Sequence, residues 1–311
     1  MIAQSLSIDV PGNCPNNCAF CVSRLAQTAE QPMLGNIYTP DELKRILKLS
    51  THDMRLTEIP YFDAFERLAF ARNQNVETVV LTGTRSEPLA NKLYLDMFFG
   101  INNALLSPFR NIELQTSGVL LAGELAALRK KGVKTIALSI SSLDDEINTE
   151  LCQMKEHISI RGLCQSIKEF RFNLRLCLNI NSEGFEDFIQ AGKSPFDNTS
   201  MKYIQKSLRA DQLTFRRLYC VSDSVEPENQ WVWDHRMPDN WWESLKQYIQ
   251  VYGNPLQRLP FGAMKYSLDG MSVVLDNDSM GEENYDVMKY LIFRRNGKLY
   301  TRWNDPASLI F

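Results

Sequence analysis

Gln4-Ser5-Leu6-Ser7-Ile8-Asp9-Val10-Pro11-Gly12-Asn13-Cys14-Pro15-Asn16-Asn17-Cys18-Ala19-Phe20-Cys21 sets the frame for the whole chain. Gln4 to Val10 reads as a first strand, and a loop bearing three cysteines leaves its C-terminal end directly. Further strand signals lie at Thr78–Thr82, Asn111–Thr116, Thr135–Ser141, Leu174–Asn181 and Leu213–Cys220, each after a helical stretch. Between the first two, Thr39-Pro40-Asp41-Glu42 supplies an N-cap Thr, a first-turn Pro and a Glu at the third position, opening a helix through about Leu49. Strands that alternate with helices imply a parallel sheet. Six such units suit an α/β fold of the partial (β/α)6 barrel type, in which chemistry gathers at the C-terminal ends of the strands.

Strand periodicity assigns faces. In the fifth strand Arg175, Cys177, Asn179 and Asn181 alternate with Leu174, Leu176, Leu178 and Ile180. The aliphatic face is expected to meet helices, and the polar face to line a cavity. The fourth strand repeats this, with Thr135, Ala137, Ser139 and Ser141 opposing Ile136, Leu138 and Ile140. Arg216 and Arg217 are adjacent and must point to opposite faces.

The cysteines carry the chemistry. Four thiolates close a [4Fe-4S] cube, whereas Cys14, Cys18 and Cys21, in CxxxCxxC spacing, hold it by one loop and leave one iron open to an outside ligand. A zinc knuckle or plain loop thiols are the alternatives; zinc sites usually show two paired C-x-x-C halves and a fourth ligand, and none is in register. With Phe20 directly before the third Cys, the motif resembles that of the radical S-adenosylmethionine (radical SAM) enzymes. The resemblance implies one [4Fe-4S] cluster, S-adenosylmethionine (SAM) chelated on the open iron, and hydrogen abstraction by the 5′-deoxyadenosyl group. It also implies an electron donor such as flavodoxin or ferredoxin, and the partial barrel itself.

The same resemblance supplies candidate SAM contacts. Family members carry a Gly-Gly-Glu-Pro-like turn after the second strand, where this chain has Gly83-Thr84-Arg85-Ser86-Glu87-Pro88, keeping Gly83 and Glu87 around an inserted Thr84-Arg85-Ser86. Exposed carbonyls and a carboxylate suit an ammonium, and Gly allows close backbone approach. Phe20 is implied beside the adenine; Gln115, Ser139, Ser141, Asn179 and Asn181 are implied near the ribose or carboxylate. Ordinary turn and cap roles are equally open to these Ser and Asn residues. Arg175, Arg216, Arg217, Cys220 and His235 are the candidates for catalysis on the substrate.

The chain has 311 residues, 44% hydrophobic and 23% charged, with a net charge of −3 and seven cysteines. That composition gives no basic footprint for nucleic acid. No run approaches the roughly 18 apolar residues of a membrane span. Met1 to Ser5 lacks the regions of a signal peptide, so a cytoplasmic location is expected. The odd cysteine count argues for thiols serving a metal, with most of Cys152, Cys164, Cys177 and Cys220 expected as small buried hydrophobes.

After Cys220 the pattern changes. Residues 221–240, rich in Asp, Glu, Pro and Asn, are expected as a loop, followed by a helix over Asn240–Val251 and two hairpins turning at Asp269-Gly270 and Asn296-Gly297. Residues 1–220 are thus expected as the barrel and 221–311 as a segment covering it, similar to a reduced C-terminal extension of GTP 3′,8-cyclase-type members. No Cys follows Cys220, so no auxiliary cluster is expected there. The reading is a radical SAM enzyme acting on a small metabolite, with a nucleobase-like compound in a queuine-lyase-type reaction as one candidate. Peptide modification is the alternative, and an iron–sulfur electron-transfer protein is the alternative of another class.

Overall fold

The computed structural model describes residues 3, 5–25, 59–185, 201–220, 227–259, 263–276, 288–303 and 305–310, with backbone alone at 59–62 and 228. The helix expected over residues 39–49 lies outside the described residues. The elements run β1 (Ser5–Asp9), α1 (Val22–Leu25), α2 (Ile59–Asn73), β2 (Thr78–Thr82), α3 (Lys92–Ala104), β3 (Asn111–Thr116), α4 (Leu125–Lys130), β4 (Val133–Ile140), α5 (Asp145–Leu151), α6 (Ile160–Glu169), β5 (Asn173–Ile180) and β6 (Gln212–Arg217). Then come α7 (Pro227–His235), α8 (Asp239–Tyr252), β7 (Asn254–Arg258), β8 (Met264–Leu268), β9 (Met271–Asp276), β10 (Tyr290–Phe293) and β11 (Leu299–Tyr300).

Among the described residues eleven strands join one sheet in the order β11-β10-β1-β2-β3-β4-β5-β6-β9-β8-β7. From β10 to β9 every neighbouring pair is parallel. The six strands read from the sequence form its centre in chain order. Curvature is set by one distance: Asp276 on β9 and Lys289 beside β10 approach to 3.9 Å although six strands separate β9 from β10 in the sheet order. The sheet therefore curls almost around on itself and encloses its inner face.

The aliphatic residues do what their alternation implies. Leu174, Leu176, Leu178, Ile136, Leu138 and Ile140 are fully buried on the helix side, each stabilising the fold by about 1.5–3 kcal/mol relative to exposure. Opposite them, α6 buries Ile160, Leu163, Cys164 and Ile167, a spacing that keeps one helical face toward the sheet. Its N-cap Ser159 accepts from Gly162 N, and Asp144 caps α5 by accepting from the amides of Glu146 and Ile147.

The C-terminal part supplies both flanks of the sheet. β9 pairs with β6 and β10 with β1, while the Asp269-Gly270 and Asn296-Gly297 turns close the β8–β9 and β10–β11 hairpins. β7 is an exposed edge strand that accommodates Pro255, a residue tolerated only where no ladder bond is required. One expectation is corrected: within residues 221–240, Pro227–His235 is a helix. Pro227 fits a first turn, and Asn229 and Val232, three apart, are both fully buried, so tertiary packing outweighs a loop-like composition. Trp241 and Trp242 on α8 are both core residues. Ending the chain after Cys220 strips β1 and β6 of their outer partners. Such a truncation is expected to lose most of its soluble yield to edge-to-edge aggregation, measured as the soluble fraction after lysis. A soluble monomer would show that the flanks are dispensable.

Candidate active site

The cysteine loop is fixed at both ends. Val10 N donates to Thr82 O at 2.8 Å where β1 leaves the sheet, and Cys21 N donates to Cys18 O at 3.3 Å as α1 begins. Between them Cys14 is exposed, Cys18 and Cys21 are half-buried, and all three are free thiols. Among the described residues no three His, Cys, Asp or Glu side chains are gathered around a point that would hold a single metal ion. The donor set nevertheless fits an iron–sulfur cluster, since three thiols on one loop at a strand end are the ligands such a cluster takes.

Cys152, expected as a plain buried thiol, lies against this loop. Its carbonyl accepts from Asn17 N at 3.2 Å and from the Cys18 thiol at 3.6 Å, and its own thiol reaches Ser141 Oγ at 3.7 Å. The contact with Cys152, followed by burial, pushes the Cys18 thiol up, and burial raises that of Cys14. A metal would have to displace these protons on binding.

The turn after β2 is welded onto the cysteine loop by the three residues inserted in it. Thr84 N donates to Asp9 Oδ1 at 2.7 Å, Arg85 Nε to Ser23 O at 2.9 Å, and Ser86 Oγ to Val10 O at 2.5 Å. Arg85 adopts a left-handed φ of 53°, strain that its bond to Ser23 helps to hold. A Cβ at Gly83 would come within 2.6 Å of Ser86 O, so only glycine fits there. Glu87 follows, 3% exposed, its amide donating to Asn13 O at 3.3 Å. Glu87 Oε2 accepts from both N and Oγ of Ser117 at 3.0 Å, while Oε1 is buried without a hydrogen-bond partner. Burial pushes the Glu87 carboxyl above the ordinary carboxylate range, against the lowering effect of its Ser117 and Thr116 bonds. An unmatched carboxylate oxygen beside the thiol loop fits an ammonium-bearing ligand.

This turn is also clamped from the far end of the chain. Arg295 Nη2 and Nε reach the two Asp9 carboxylate oxygens at 3.1 and 3.2 Å, and Arg294 Nη1 donates to Thr84 Oγ1 at 3.2 Å. Asp9 and Arg294 are fully buried. Sequence reading missed this clamp; an Arg pair directly before the Asn-Gly turn and an Asp ending the first strand are the signals that could have found it.

Inside the sheet lies a cavity of about 390 Å³. Its wall includes Gln115, Arg175 and Arg216, and Val22, Ser23, Gly83 and Thr84 line its edge at the cysteine loop. Arg175 donates to Glu113 at 2.9 Å and to Gln212 at 2.8 Å. The choice between the adjacent arginines is made here. Arg216 faces the cavity, 3.7 Å from Asp276, and Arg217 turns outward to Asp239 and Trp242. Burial lowers the Arg216 guanidinium, but Cys177, Asp276 and Glu113 together outweigh it and leave a net rise.

The remaining expected residues take these places. Ser139 sits in register with Cys177, and Asn179 Nδ2 lies 3.4 Å from Ser141 Oγ. Asn181 is fully buried, donating to Ser141 O at 2.8 Å and accepting from Gly184 N at 2.6 Å, so its amide joins two strand-end loops. Phe20 packs on Trp231, with ring centroids 5.7 Å apart, and Trp231 stacks on His235 at 4.0 Å. His235 Nε2 stands 3.5 Å from Glu183, and Cys220 Sγ accepts from Arg236 at 3.1 Å. Trp303 reaches the cavity wall.

No family model matches the chain. A 177-residue stretch is 24% identical to GTP 3′,8-cyclase of Haemophilus influenzae (strain PittEE), covering 54% of this chain and 50% of that protein. The chain thus spans about half the length of this curated relative. Among solved structures, coproporphyrinogen III oxidase (HemN) from Escherichia coli, described as a radical SAM enzyme, aligns with 98% of this chain and 62% of its own at a TM-score of 0.50 and 14% identity. A histidine-tagged anSMEcpe with bound AdoMet aligns with 96% of this chain and 74% of its own at a TM-score of 0.53 and 14% identity. These two likenesses speak to the fold, and the sequence match to a curated relative agrees with them. The three-cysteine loop thus stands at the end of the first strand of a curled parallel sheet, in a fold similar to that of these two structures.

Proposed function

We propose that this protein is a radical SAM enzyme that acts on a small molecule held in the barrel cavity. The observation that carries the reading is the buried, half-satisfied Glu87, whose amide bonds to Asn13 in the cysteine loop and which ends the turn whose Gly83 and Thr84 line that cavity. Cys14, Cys18 and Cys21 would hold one [4Fe-4S] cluster, and Glu87 and Gly83 would receive the ammonium end of SAM. When bound, the cluster supplies the electron for reductive cleavage of SAM, whose adenosyl fragment then takes a hydrogen atom from the substrate. Phe20, backed by Trp231, offers a ring to the adenine side, and Gln115, Ser139 and Asn179 offer polar groups on the inner face. A soluble donor such as flavodoxin or ferredoxin would deliver the electron. A queuine-lyase-type reaction on a nucleobase-like metabolite remains one candidate transformation.

Anaerobic reconstitution followed by SAM and dithionite tests the reading: formation of 5′-deoxyadenosine is expected, and its absence from a cluster-loaded sample would refute it. Glu87 gives a sharper check. Because burial raises its carboxyl, the folded chain holds that proton more tightly than the unfolded chain does. This contribution to stability is complete below the unfolded carboxyl's pKa and is lost as pH rises through the folded value. Near neutral pH, Glu87→Gln keeps an acceptor for Ser117 and is expected to melt no lower than wild type. The same variant should lose about tenfold or more in SAM affinity, the worth of a charge-assisted bond. Wild-type affinity in the variant would remove Glu87 from the SAM site.

A further inference from the structure

One guanidinium nitrogen facing the cavity has no hydrogen-bond acceptor, that of Arg216. Arg175 is spent on Glu113 and Gln212, at hydrogen-bond distance from both. Asp276 instead stands between two cations, 3.7 Å from Arg216 and 3.9 Å from Lys289, too far to satisfy Arg216. The Arg216 Nε is buried and has no hydrogen-bond partner. A guanidinium presents five donors, and leaving one desolvated without an acceptor is costly. Lys265, on the same wall, adds a further positive charge. The rings of Tyr290 and Trp303 complete this side, with their centroids 6.4 Å apart and their planes inclined at 64°.

The geometry points to an oxyanion-bearing substrate: a small metabolite whose carboxylate or phosphate is bound by Arg216, assisted by Lys289, with its body against Tyr290 and Trp303. The planar fork of Arg matches the two oxygens of either group. The inference deepens the reading above and rests on it, narrowing the substrate class to acids that fit about 390 Å³. A neutral nucleobase can accept from Arg216 but brings no negative charge to it, and is disfavoured.

Four probes of similar size separate the possibilities on the reconstituted full chain: benzoate, phenyl phosphate, benzamide and benzylamine, with affinities measured by saturation-transfer NMR titration. At least one anionic probe is expected to bind about tenfold or more tightly than the neutral and cationic ones, the tighter anion identifying the acidic group. Arg216→Met should lower that anion's affinity by a similar factor. Equal binding of all four probes, failure of both anions to bind wild type, or unchanged anion affinity in Arg216→Met would overturn the inference. The wild-type comparison stands even where the variant folds poorly. SAM cleavage is assayed on the same wild-type sample. Cleavage without anion selectivity removes only the substrate class, whereas selective anion binding with no cleavage removes the radical SAM activity.

Discussion

Changing any one of Cys14, Cys18 or Cys21 to Ala is expected to abolish the visible absorption of the iron–sulfur cluster and, with it, all formation of 5′-deoxyadenosine. The loss is large because each thiolate anchors one iron, and the spacing of the loop provides no substitute. Cys152 is the informative control, since it is the thiol nearest the loop and touches Cys18 through its carbonyl. Cys152→Ala keeps that carbonyl and should retain near-complete iron loading, as should Ala variants at Cys164 and Cys177, which are buried on other elements. Iron and sulfide content after anaerobic reconstitution measures this. Full loading in all three loop variants would break the assignment, and loss of iron in Cys152→Ala would make Cys152 part of the cluster site.

The second large effect concerns stability. Asp9 is fully buried and faces two guanidinium groups, Arg295 at 3.1 Å and Arg294 at 3.8 Å. Removing one partner of a buried ion pair strands the other charge, at a cost of about 3–5 kcal/mol. Asp9→Ala removes the carboxylate that faces both cations and also releases Thr84 N from its acceptor. It should therefore unfold at clearly lower denaturant, with a loss in that range. Arg295→Met should cost less, because Asp9 still accepts from Thr84 N and retains Arg294 beside it. Urea unfolding followed by circular dichroism checks both, and an Asp9→Ala loss below about 1 kcal/mol would show that the cluster is not the anchor described. A folded Arg295→Met is also expected to bind SAM more weakly, because Arg295 donates to the Thr84 carbonyl inside the turn that leads to Glu87.

The clamp gives the tail a purpose in the fold. Arg294 and Arg295 precede the Asn296-Gly297 turn of the last hairpin, and they reach Asp9 at the end of β1 and Thr84 in the turn after β2. The C-terminal segment thus helps to fix the turn that carries Glu87, in addition to flanking the sheet.

Much of this protein was legible without coordinates. The strands at Thr78–Thr82 and Asn111–Thr116 appear with the bounds their apolar runs imply, and the two Gly-containing turns close hairpins. These features are local, because they follow from side-chain alternation and turn chemistry within a few residues. The three-cysteine spacing is likewise local, and the cluster proposed for the loop rests on it.

What the sequence could not decide depends on residues brought together from far apart in the chain. Whether Arg216 or Arg217 enters the cavity is set by the register of β6 against β5 and β9, since one residue of slip exchanges the faces. That Pro227–His235 is a helix depends on burial of Asn229 and Val232, which composition does not reveal. Asp9 and Arg295 are 286 positions apart, and their pairing exists only because β10 lies beside β1. Local patterning determined most of the elements and the three-cysteine loop. Only the curl of the sheet, which brings Asp276 within reach of Lys289, decided the cavity and the charges that face into it.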